Sequence, residues 1–126
     1  MLTVALVLAG LAALLHVYIF WLESLAFDTA GRKAFGVSAA DAAVAKPWAF
    51  NQVFYNLFLA IGTAVGIALT DSDRHAGIAL VVLGVGSMLA AALVLVTSAP
   101  SKARGAAIQG TIPLLTLLAL AVWAWT

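Results

Sequence analysis

Four long apolar runs, at 2–27, 47–70, 76–97 and 105–125, constrain this chain more than anything else in it. Each reaches the ~20 residues that a helix needs to cross ~30 Å of hydrocarbon. Hydrocarbon offers an exposed backbone no partner, so runs of this length are read as helices whose own ladders satisfy them. Charge content agrees: 9% of the residues are charged and 65% hydrophobic, where a soluble domain carries about 25% charged residues. The expected fold is all-α, a four-transmembrane-helix bundle formed as one domain over residues 1–126.

The first run has no Lys or Arg before it, is longer than a signal-peptide core, and is followed by basic residues. It is therefore expected to stay as a span rather than to be cleaved. The first connector, 28–46, is the longest. Within it Ser38-Ala39-Ala40-Asp41 has the form of a capping box, which predicts a short amphipathic, alanine-rich helix over about 39–45. Pro47 suits the first turn of the second span, where its missing N–H costs nothing. The connectors at 71–75 and 98–104 are short polar links.

Lys and Arg set the orientation. Arg32, Lys33, Lys46, Lys102 and Arg104 fall in the first and third connectors, and Arg74 alone falls on the opposite side. Five against one places those connectors in the cytoplasm and both termini outside. Trp21 and Trp48 mark one aromatic belt, and Trp123 and Trp125 the other. Gly62-xxx-Gly66 in the second span, with Gly77, Gly84 and Ala91 in the third, predicts close helix contacts. Pro113 is expected to bend the fourth span and to free a carbonyl near Gln109.

Polar residues inside the spans carry the functional signal. His16 and Glu23 stand seven residues apart. At ~100° per residue that is close to two turns, so both share a face with Phe20, and Ala9, Ala12 and Ala13 continue it. In the second span Gln52, Tyr55, Asn56 and Thr63 share a face, with Asn51 at its edge; the fourth span adds Gln109. All but Thr63 fall in the cytoplasmic half of the expected bilayer. An ionisable residue within a span is a functional-site hypothesis by default. The amides have a plainer reading as interhelical glue, Tyr18 and Trp21 as interface anchors, and Glu23 as a helix-end carboxylate reaching the headgroups.

Other chemistries find little support. A net charge of +1 with no basic cluster beyond Arg32-Lys33 gives no nucleic-acid footprint. There are no cysteines, and one deep histidine with one carboxylate does not make a zinc site. No phosphate-binding glycine loop or nucleophile set can be assembled, and no cofactor is implied.

At these polar residues the chain resembles a bacterial family catalogued as domain of unknown function thirteen-oh-four. The matching pieces are His16 to Glu23, Phe35-Gly36, Asn51-Gln52 with Tyr55 to Ala60, and Gln109-Gly110 with Pro113 behind it. The likeness spans nearly the whole chain, although the family reads Asn-Gln-Gly where Val53 follows Gln52 here, and usually carries tryptophan near Phe27. It implies a small four-helix protein of the bacterial cytoplasmic (inner) membrane and the same polar set, with no established substrate.

The functional expectation is a pocket in the cytoplasmic half of the bilayer that binds a small amphiphilic, membrane-soluble ligand. His16 and Glu23 are its candidate acid–base pair. Asn51, Gln52, Tyr55, Asn56 and Gln109 are its candidate ligand-binding residues. Two alternatives stand beside it: a transporter or channel assembled from several copies of the chain, and an accessory structural subunit. Partners in the first reading are the lipid bilayer and the ligand, with no nucleic acid.

Overall fold

Alanine falls at positions 5, 9 and 12 of the first run, the three-and-four spacing of one helical face, and all three side chains are fully buried. The stripe continues through His16, Ile19 and Leu22, so one seam of this helix is small, then polar, then bulky. Between membrane helices little hydrophobic force is available, because lipid is as apolar as leucine. Close approach of backbones over small side chains is what gains dispersion energy. The alanine seam sets where the neighbouring helices go.

The computed structural model describes residues 1–126, apart from the side chain of Phe35, which therefore lies outside the described residues. Helix α1 spans Leu2–Glu23 and is followed by a π-helical turn, Phe27–Gly31, and a short α2, Arg32–Phe35. Then come α3, Ala39–Leu69, α4, Arg74–Ser98, a 3-10 turn at Pro100–Lys102, and α5, Ala103–Trp125. Helix α1 packs on α3 and α5, and α4 packs on the same two from the opposite side. The order around the bundle is thus α1, α3, α4, α5, each beside its chain neighbour, with α5 closing back on α1. At the centre, Ala5, Ala9 and Ala12 meet Val81, Val85 and Met88 of α4 and Ala119 and Leu120 of α5. Four helical segments are long and apolar enough to cross a membrane. Their outer surface is leucine, valine and aromatic, including Val7, Leu11, Leu14, Leu83, Val94 and Leu118, a coat suited to hydrocarbon.

The first connector differs in detail from the sequence reading. Residues 39–45 are helical, but as the opening turns of α3 rather than as a separate helix, and Pro47 lies inside α3 rather than in its first turn. The cap is the one expected: the Ser38 hydroxyl oxygen accepts from the Asp41 N–H at 3.1 Å, and its O–H donates to the Asp41 carboxylate at 2.6 Å. That cap starts the helix early, and the run of alanines carries it into the span. Pro47 is exposed, so the carbonyl it leaves without a donor points outward, where the usual penalty is least. At 31 residues, α3 is about 46 Å long, well beyond the ~30 Å hydrocarbon core. Its first turns must stand outside that core. Helix α5 likewise runs through Pro113 unbroken.

The small-residue contacts are more selective than the motif suggests. Gly62 has open space where a Cβ would be, whereas a Cβ on Gly66 would meet the Gly77 carbonyl oxygen and the Val81 nitrogen at 2.9 Å. A Cβ on Gly77 would in turn meet the Gly66 oxygen at 2.7 Å. The α3–α4 crossing is built on Gly66 and Gly77. Asp73, unnoticed as a cap in the sequence, accepts from the Ala76 N–H at 3.0 Å and starts α4 there.

Candidate functional site

The connector after α1 folds back under the helix it has just left. Gly31 closes the π-helical turn against the last turn of α1 so tightly that a Cβ would come within 2.2 Å of the Leu22 carbonyl oxygen. Gly36 ends α2 at φ 63°, a left-handed conformation that glycine adopts without strain. These two glycines set the path of the connector, which puts Lys33 in the lining of one cavity with Glu23 and Arg104.

The result is a cavity of about 730 Å³ at the end of the bundle that carries the first and third connectors, the basic end. Glu23 of α1 and Gln109 of α5 line it together. Lys33, Lys102 and Arg104 share the same wall, with Val37, Leu95 and Ile108 as its apolar part. The volume lies within the range of small-molecule sites. Glu23 is half-buried, and its carboxylate forms no ion pair with Lys33 or Arg104; an ion pair joins Asp28 to Lys46 on the surface.

The other candidates lie elsewhere. His16 is 1% exposed on the central seam of α1, and is not among the described residues that line the cavity. Its Nδ1 lies 2.9 Å from the carbonyl oxygen of Ala12 in its own helix. A carbonyl only accepts, so Nδ1 carries the proton and Nε2 is left as the acceptor. Asn51, Gln52 and Tyr55 are exposed on the outside of α3, Tyr55 at 61%. Asn56 is half-buried. Phe20, on the face expected to join His16 to Glu23, stacks edge-on against Phe54 of α3 with ring centres 5.2 Å apart. Of the seven candidates, the structure brings Glu23 and Gln109 onto one wall.

None of the amides of Asn51, Gln52, Asn56 and Gln109 has a hydrogen bond among the described residues, so among these residues no interhelical amide bond ties the helices. The buried hydroxyls toward the opposite end are satisfied locally: Thr63 donates to Leu59 at 2.8 Å, and Thr116 to Ile112 at 2.9 Å. Each is turned to its own helix. Among the described residues, no three His, Asp or Glu side chains come together as a metal site would require.

Sequence reasoning missed Lys33, Lys102 and Arg104 as wall residues. The signal was available, since these cations lie in the two connectors at the same end of the bundle as Glu23.

Fold and surface together define a small multi-pass helical membrane protein with a charged cavity at one end. A family model described as "Protein of unknown function (DUF1304)" matches residues 10–121, and the chain belongs to that family. No curated protein and no solved structure matches it.

Proposed function

We propose that this protein binds a small amphiphile at the cytoplasmic end of the bundle, with the polar head in the cavity and the tail against the apolar flank. The observation that carries this reading is the shared wall of Glu23, Gln109, Lys33, Lys102 and Arg104, continued by Val37, Leu95 and Ile108. Charged and apolar groups on one surface match a molecule that has both. A cavity at this level meets lipid-dissolved molecules at the headgroup layer, where basic side chains also draw anionic groups.

The reading is one of binding. Acid–base chemistry would need a group to pass from the Glu23 wall to the seam that holds His16. Transport would need a polar route through the opposite half, where the Thr63 and Thr116 hydroxyls are already engaged.

The test is thermal unfolding of the detergent-solubilised protein with and without a total lipid extract, for wild type and for the Lys33→Gln/Arg104→Gln double variant. Lipid should raise the unfolding temperature of wild type, since a ligand bound only to the native state stabilises it. The double variant should lose most of that rise. An equal rise in both proteins would count against the cavity as the binding site.

A further inference from the structure

The cavity at the basic end is lined by one acidic and by several basic side chains. Glu23 enters from α1, while Lys33 comes from α2, Lys102 from the 3-10 turn and Arg104 from the first turn of α5. Lys33, Lys102 and Arg104 are exposed, and Glu23 is half-buried. Here the Glu23 carboxylate pairs with neither Lys33 nor Arg104, and it accepts no hydrogen bond among the described residues. All three line one cavity of about 730 Å³. Gln109, on the same wall, can both donate and accept.

We propose that the headgroup this cavity takes carries a phosphate and a protonated amine with N–H donors, an aminophosphate of the ethanolamine type. The proposal rests on the binding reading above. A purely anionic head would satisfy Lys33 and Arg104 but would leave a carboxylate facing it inside the same cavity. A purely cationic head would satisfy Glu23 and leave Lys33 and Arg104 facing it. A head with both charges satisfies both kinds of group, phosphate toward Lys33 and Arg104 and ammonium toward Glu23 and the Gln109 oxygen. Arginine and lysine are the ordinary partners of phosphate, and charge-assisted hydrogen bonds of this kind are the strong ones. A quaternary amine carries the same positive charge without an N–H, so it cannot hydrogen-bond to Glu23 or Gln109. The apolar part of the wall, Val37, Leu95 and Ile108, suits the glycerol and first acyl carbons of a lipid.

The experiment measures binding of short-chain phosphatidylethanolamine, phosphatidylcholine and phosphatidylglycerol to the intact protein in detergent, by native mass spectrometry and by the shift in unfolding temperature. Wild type should bind the ethanolamine lipid about tenfold more tightly than either of the others, the value of roughly one charge-assisted hydrogen bond. Glu23→Gln, similar in size and shape, should abolish that preference and bind the glycerol lipid at least as well, while unfolding near the wild-type temperature without lipid. Free phosphoethanolamine is the remaining arm: competition at millimolar concentration marks a soluble aminophosphate as sufficient, and no competition marks the lipid-borne head as the ligand. Equal binding of the three lipids by wild type would overturn the aminophosphate assignment and leave the amphiphile reading standing. A preference that survives Glu23→Gln would overturn it as well. If no lipid binds and none shifts unfolding, both fall together. The wild-type comparison decides even if the variant does not fold.

Discussion

The Nδ1 proton of His16 is held by the carbonyl of Ala12, 2.9 Å away and one turn back in the same helix. The imidazole is therefore not bonded to another helix through that nitrogen, although it sits on the central seam of the bundle at 1% exposure. Its contribution to holding the helices together is bulk.

From this follows a contrast between two substitutions. His16→Leu fills the same space and removes a polar group from an apolar seam, so the ligand-free protein should unfold at an equal or higher temperature. His16→Ala leaves a hole and should cost about 2 kcal/mol or more. A marked loss of stability in the leucine variant would show that Nε2 makes a bond the bundle depends on. Nitrogen NMR of the imidazole checks the tautomer directly, with Nδ1 expected to be protonated.

The α3–α4 crossing makes a second contrast. A methyl on Gly66 must displace backbone atoms of α4 that lie 2.9 Å away, so Gly66→Ala should destabilise the bundle by roughly 1–3 kcal/mol. Gly62→Ala enters open space and should be neutral or stabilising, by up to about 1 kcal/mol from helix propensity. Unfolding equilibria in mixed detergent would measure both, and equal effects at the two sites would refute the assigned crossing.

Orientation is open to labelling. The Lys and Arg bias predicts that a cysteine at Ser101 reacts with an impermeant thiol reagent only after the inner face is exposed. A cysteine at Ser72 should react in intact cells. Both positions are exposed. The reverse pattern would invert the topology, and labelling of each from both sides would mean dual insertion.

Asn51, Gln52 and Tyr55 face outward from α3. Asn51→Leu and Gln52→Leu should therefore change the stability of one bundle by no more than about 0.5 kcal/mol. Chemical crosslinking of the same variants in membranes tests whether a second copy covers this face. Crosslinked dimer that is present in wild type and lost in the variants would assign the amides to an oligomer contact.

The surface pair of Asp28 and Lys46 joins the first connector to α3 with both side chains about half exposed or more, at 62% and 49%. Such pairs contribute at most about 1 kcal/mol. Lys46→Ala should leave the unfolding temperature nearly unchanged at 0.15 M salt and should not disturb lipid binding at the cavity.

Class and span number were legible in the sequence because they depend on local quantities: the length of each apolar run, the scarcity of charge, and the turn-by-turn spacing of Ala5, Ala9 and Ala12. The cap at Ser38 was legible for the same reason, since it involves residues three apart. Sharing a helix face and a membrane depth is a weaker statement than sharing a wall. His16 and Glu23 keep a common stripe, yet one ends in the core and the other in a cavity, because the connector passes beneath only the last turn of α1. Glycine at 31 and 36 decides that path, through a backbone contact and a left-handed turn that periodicity does not register. Tertiary structure alone set Lys33, Lys102 and Arg104 beside Glu23, since they come from segments far apart in the chain and meet only when α5 closes on α1. The sequence determined which residues could enter a membrane and where along each helix the polar groups fall. Packing decided which of those groups face one another.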